Sequence, residues 1–276
     1  MRRLVGVAVL VALTLAACGG DKPSGFAQVA SANGSVGVGE QRVLVAIVDP
    51  KTDEFLAAPD VAATATLRDG IGSPIGQYEG DFIWIVPEVR GLYAFQMDIP
   101  GPGTFQITVT SDAFNEAGPV GLVTVEDPGV IVVGDEAPLS ETRTTGTHDI
   151  SDITSDPDPD PDFYELSVAD AVGRGPTAIV FGTPAWCTSQ ACGPLLDQVK
   201  DLSSVFSGVN YVHVEVYEDI HVSSFEELTL VPSVGEWGLP AEPWVFITDS
   251  GGLVSASFEG VASHEELSNA LAAVSP

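Results

Sequence analysis

The sequence has 276 residues, with 39 acidic against 10 basic side chains and a formal net charge of −29. A surface so acidic repels phosphate backbones and anionic lipid headgroups, which argues against nucleic acid as a partner and against membrane binding by charge. The charge is read as a solubility feature, and the length suits two domains of ordinary size.

In chain order, Arg2 and Arg3 give a basic start, followed by an apolar run from Leu4 to Leu15. That run is short of the roughly 20 apolar residues a membrane-spanning helix needs. It ends in Leu15-Ala16-Ala17-Cys18, then Gly19-Gly20-Asp21. This resembles the lipobox of bacterial lipoproteins. The resemblance implies a signal peptide over residues 1–17, lipidation of Cys18, and a lipid-anchored, extracytoplasmic location on the outer face of the cytoplasmic membrane. Residues 18–33 are then expected to be a small-residue tether. With Cys18 assigned to the lipid, two of the three cysteines are left, Cys187 and Cys192, five positions apart in a compartment that permits disulfides.

Residues 34–127 carry short alternating runs broken by Gly, Pro and Asp: Val43 to Val48, Ala63 to Leu67, Leu92 to Met97 and Thr104 to Thr110. Several short strands without a helical period predict an all-β sandwich. The stretch from Gly91 to Phe105 looks like the closing hairpin of an immunoglobulin-like sandwich, similar to small extracytoplasmic modules of the FixH or YtkA type. Residues 128–162 are expected to be an acidic, Pro-rich linker. It ends in the Asp-Pro repeat Asp156 to Asp162, where missing donors and like charges favour an extended, solvated spacer over a calcium loop.

Over residues 163–276 the period changes. Ser167 to Asp170 has the form of a helix N-cap, Thr177 to Phe181 is a buried strand, and a helical pattern runs from Cys187 to about Leu202. A strand over Tyr211 to Val216 follows, then a helix beginning near Ser223. Strands over Trp244 to Thr248 and Leu253 to Phe258 flank a Gly251-Gly252 turn, and a last helix is capped by Ser263. This is the order of an α/β domain with a mixed sheet.

That order, with Phe181 to Cys187, Pro194 to Asp197 and Pro243 to Ile247 in this spacing, resembles the thioredoxin, TlpA and redoxin superfamily. The resemblance implies an α/β thioredoxin-like C-terminal domain behind the sandwich. It also implies thiol–disulfide oxidoreductase chemistry, with Cys187 as nucleophile, Cys192 as resolving thiol, Pro243 in the cis form beside them, and Trp186 and Glu242 close by. Protein thiols or disulfides would be the partners; the chemistry needs no cofactor and no metal.

The cysteine spacing departs from that family, which places two residues between its cysteines where this chain places four. Five positions apart on a helix, two Cα atoms lie about 8.6 Å apart, beyond the usual disulfide limit of about 7 Å. Either Cys187 precedes the helix or the first turn unwinds. The spacing with Thr188 after the first cysteine also resembles Q-type peroxiredoxins. Pro184, however, stands where those enzymes need a threonine, and no arginine follows Arg174, which disfavours a peroxidase. Two further readings stay open: a binding module with a structural disulfide, and a copper-delivery protein, for which His221 is the loop histidine available beside His148, His213 and His264.

Overall fold

The computed structural model describes residues 22–30 and 36–276. The expected signal peptide and lipidated Cys18 lie outside the described residues. No helix among the described residues is long and apolar enough to cross a membrane.

Seven antiparallel strands form the first unit: β1 (Phe26–Val29), β2 (Gly39–Val48), β3 (Ala63–Arg68), β4 (Pro74–Val86), β5 (Arg90–Ile99), β6 (Gly103–Ser111) and β7 (Ala117–Thr124). Their order is β1-β2-β5-β4-β3-β6-β7. The long β4 closes the sheet into a sandwich-like body by changing partner: its first half pairs with β3 and, from Gly80 on, its second half pairs with β5. Gly80 permits this switch because a Cβ there would lie 2.6 Å from the Phe95 ring. Val43, Val45, Ile47, Leu67, Tyr93, Phe95, Met97, Ile107 and Val109 fill the interior.

Two expectations need correction here. Gly91 to Phe105 is not a hairpin, since β5 pairs with β2 and β4 while β6 pairs with β3 and β7. Phe26–Val29, inside the expected tether, is an edge strand paired with the end of β2, with Ala27 buried.

The second unit is a four-stranded sheet of β8 (Thr177–Phe181), β9 (Asn210–Val214), β10 (Trp244–Thr248) and β11 (Val254–Glu259), in the order β11-β10-β8-β9. Only β8 and β9 run parallel. β8 is buried on both faces, as its apolar run requires. Ala178 and Val180 face Leu195, Leu196, Val199 and Leu271, whereas Ile179 and Phe181 face Trp237, Val168 and Val172. The helices are α1 (Ile150–Ile153), α2 (Val168–Val172), α3 (Cys192–Ser203), α4 (Pro232–Glu236) and α5 (His264–Val274).

The α/β thioredoxin-like fold class expected for this half is overturned by that inventory. The described chain is mostly β, eleven strands against five helices, and three of those helices span only four or five residues. The physical reason lies in the breakers. The helix read near Ser223 is a single 3-10 turn, Phe225–Glu227, followed by the short α4 that Pro232 opens and Gly238 ends at positive φ. The turn after Cys187 fails because Gln190 sits at a φ of 62°, outside helical geometry. α5 does form at full length, closed by a capping box between Ser263 and Glu266.

Residues 128–162 are not a free spacer either. Ile131 N–H donates to the Trp237 carbonyl, Val254 N–H to that of Asp135, and Ala137 N–H to that of Gly252, so the segment lies along the second sheet. The Asp-Pro repeat is tied down at Asp156, whose carboxylate takes a 2.9 Å ion pair from Lys200.

The two units meet through the outer face of the sandwich. Val43, Val45 and Ile47 of β2 point into its core, while Leu44 and Ala46 point outward to join Ile83, Leu92, Ala94, Ala191 and Val261 in a shared apolar cluster. Beside it, Arg42 grips both Glu266 carboxylate oxygens at 2.6 and 3.1 Å and the Val261 carbonyl at 2.7 Å.

Candidate functional site: the Cys187–Cys192 disulfide

β8 ends at Phe181, and the chain turns over Gly182-Thr183-Pro184-Ala185-Trp186 before reaching Cys187. Cys187 and Cys192 are joined in a disulfide with Cα atoms 6.1 Å apart. The bond forms at this spacing because Cys187 lies in the loop and only Cys192 belongs to α3. Of the two alternatives the spacing leaves, the first is therefore the one found: Cys187 precedes the helix, and Cys192 is its first residue. Cys187 still acts on that helix end, because its Sγ accepts the Cys192 backbone N–H at 3.3 Å. The N-cap residue, Ala191, has no side chain able to do so. Ser189 Oγ lies 3.2 Å from the same sulfur.

The two sulfurs differ in access. Cys187 is half-buried, whereas Cys192 is 1% exposed. Gly182 forms the floor: a Cβ there would touch the Cys192 Cβ at 3.3 Å and the Pro243 Cβ at 3.5 Å. Glu242 and Pro243, joined by a cis peptide bond, stand just ahead of β10. A Glu242 carboxylate oxygen and the two cysteine sulfurs all lie within 4.8 Å of one another. Trp186 precedes Cys187 in the chain, its indole N–H donating to the Ile220 carbonyl at 3.2 Å. Cys187, Cys192 and Glu242 thus converge with Pro243 beside them, whereas the Trp186 indole is turned to the Ile220 carbonyl.

The electrostatics below the disulfide are carboxylic. Burial, then the charge of Glu215, pushes Glu242 up to about 8, opposed by a hydrogen bond from the Thr183 backbone. One Glu242 oxygen is buried without a hydrogen-bond partner. Burial likewise pushes Glu215 up to about 7, although Ser155 donates to it through its backbone N–H at 2.7 Å and its hydroxyl at 3.0 Å. Glu215 ionises first, and its charge then falls on Glu242, as expected of two coupled acids. At neutral pH Glu242 is mostly a neutral acid, able to donate a proton.

Glu215 and Ser155 were missed from the sequence. The signal for Glu215 was present in β9 and the residues after it, where the buried run Tyr-Val-His-Val-Glu-Val places His213 and Glu215 on one face. His213 is fully enclosed; burial pulls it down to about 4, and its ring contacts the Gly182 carbonyl at 3.0 Å and the Tyr164 hydroxyl at 2.8 Å. Ser155 Oγ also accepts from Ala185 N–H at 3.1 Å, linking Glu215 to the turn that delivers Trp186 and Cys187.

For a metal, the donors that converge are Cys187, Cys192 and Glu242, and the sulfurs become ligands only when reduced. His221, the histidine weighed for copper, is exposed and occupied by the Ser151 carbonyl at 3.0 Å and by Asp152 at 3.5 Å.

No family model and no curated protein matches this sequence. Among solved structures, the chain is similar to the Lin-41 filamin domain at 12% identity and a TM-score of 0.26, over 38% of this chain and 99% of that one.

Proposed function

We propose that this chain is an exported thiol–disulfide oxidoreductase, held to the membrane through Cys18, whose Cys187–Cys192 pair exchanges with protein thiols. The observation that carries the reading is the unequal pair above an acid: one cysteine half-buried, the other enclosed, and a carboxyl that burial pushes up to about 8 within 4.8 Å of both sulfurs.

In the oxidising direction a partner thiolate attacks Cys187 Sγ. The Cys187–Cys192 bond breaks, its electron pair leaves on Cys192 Sγ, and the Glu242 carboxyl gives that sulfur its proton. The partner's second thiol passes a proton to the Glu242 carboxylate and attacks its own sulfur in the mixed disulfide, releasing Cys187 as thiolate. The partner ends as a disulfide and this protein as a dithiol, with two electrons transferred. The reverse sequence reduces a partner disulfide.

Cys187 suits both attack and departure because the Cys192 N–H and the Ser189 hydroxyl stand ready to stabilise its thiolate. The enclosed Cys192 cannot be reached by a protein-sized thiol, which fixes the order of attack.

The deciding experiment is the reduction potential of the pair, read by alkylation and mass after equilibration in dithiol buffers. A value within the range of exchanging dithiols, roughly −120 to −270 mV, is expected. A value below about −300 mV would identify a structural staple and overturn the proposal.

A further inference from the structure

The sandwich reaches into the loop between the cysteines. Arg90 opens β5, and its guanidinium Nη2 donates to the Ser189 carbonyl at 2.6 Å and to Gln190 Oε1 at 3.3 Å. The guanidinium sits 6.0 Å from the centre of the Phe55 ring, and its Nε is buried without a partner, so the head group is held against the sandwich rather than trailing in solvent. Next along the loop, Ala191 is 2% exposed and packs in the apolar cluster formed by Leu44, Ala46, Ile83, Leu92 and Ala94. Between these two anchors Gln190 holds a φ of 62°, a conformation that non-glycine residues adopt only when their surroundings impose it.

We propose that Arg90 is a positioning residue for the disulfide: with the Ala191 contact it clamps loop 188–191 from the sandwich and so sets the reduction potential of Cys187–Cys192. The inference rests on the exchange reading above, and it gives the sandwich a part in the chemistry beyond spacing.

The reasoning is geometric. Four residues separate the cysteines, and the Cys187 Sγ to Cys192 N–H contact closes the same short ring that Arg90 grips from outside. When the disulfide opens, a free loop would regain its backbone freedom and let Gln190 leave the left-handed region, drawing the sulfurs apart. The clamp denies the dithiol that relaxation. It keeps the sulfurs at high effective concentration and favours the closed disulfide. Removing it stabilises the dithiol relative to the disulfide.

The test compares wild type, Arg90→Ala and Arg90→Lys in the full chain. The equilibrium with dithiothreitol is measured by alkylation, and hydrogen–deuterium exchange of residues 188–192 is followed in the oxidised proteins. Arg90→Ala should shift the equilibrium about tenfold toward the dithiol, equivalent to about 30 mV for two electrons, and speed exchange in the loop. Arg90→Lys, which keeps one charged donor for the Ser189 carbonyl, should fall between. An Arg90→Ala equilibrium identical to wild type overturns the clamp and leaves the exchange reading standing. If the wild-type pair resists dithiothreitol altogether, the exchange reading falls instead. Loop exchange then decides the clamp alone: faster exchange in Arg90→Ala supports it, and unchanged exchange overturns it.

Discussion

Replacing Glu242 by glutamine removes one ionisable group from beneath the disulfide and should change how stability depends on pH. An unfolded glutamate ionises near 4.5, while the folded Glu242 holds its proton to about 8, chiefly because burial disfavours its charge. The folded state therefore binds more protons between these values, and wild-type stability falls as pH rises from 4.5 to about 8, with no further loss from this group beyond. At about 1.4 kcal/mol per pH unit, that window amounts to roughly 5 kcal/mol at most. Partial solvation of the half-buried carboxyl brings the expected figure to about 2–5 kcal/mol. Glu242→Gln should match wild type near pH 4.5, where a protonated acid and an amide are near isosteres. It should become progressively more stable than wild type up to pH 8 and then hold a constant margin. Glu215 and the surface carboxylates remain in both proteins, so their contributions largely cancel in the difference. Urea denaturation of the oxidised proteins at pH 5, 7 and 9 measures it. A difference that stays flat across that range would refute the buried-acid account.

Reducing the disulfide should leave the protein folded: a loop closed across five positions contributes only about 2 kcal/mol of chain-entropy stabilisation, and near-UV circular dichroism with a denaturant titration would show it. Arg42→Ala, which leaves the Glu266 carboxylate at the junction of the two units without its cation, should cost about 1–3 kcal/mol in thermal or urea unfolding. Glu242→Gln should also slow disulfide opening by a model dithiol below pH 8, where wild type has its proton donor, and should match wild type above it. Stopped-flow tryptophan fluorescence, reporting through Trp186 next to Cys187 in the chain, would follow the rates.

Local patterns in the chain told much about its parts and less about how they meet. The buried run Thr177 to Phe181, the Ser263 cap and the Cys187/Cys192 pair could each be read from a few adjacent residues, because propensity, capping and loop closure act over that range. The α/β class for the second half could not. The helical pattern after Cys187 forms α3 only from Cys192 on, because Gln190 at positive φ keeps the first turn out of it, and the pattern near Ser223 is cut to a 3-10 turn and the short α4 between Pro232 and Gly238. Residues 128–162 read as solvated from composition, yet backbone bonds to the second sheet and the Lys200–Asp156 pair hold them, and composition does not reveal such tertiary partners. β2 shows the same limit. Its run Val43 to Val48 read as one of several short sandwich strands, but the partner of its outer face, Ala191 beside Cys192, lies about 150 residues away. Arg90 left no local signal, since its importance arises only when β5 is laid against that loop.

The most direct test of the central claim is to trap the exchange intermediate. Cys192→Ser and Cys187→Ser proteins, reduced and folded, would each be incubated with a peptide disulfide and examined by intact mass. Attack through the accessible sulfur predicts a stable one-to-one mixed disulfide at Cys187 in Cys192→Ser, and none in Cys187→Ser, whose remaining sulfur is 1% exposed. Equal adducts on both variants, or none on either, would contradict the account.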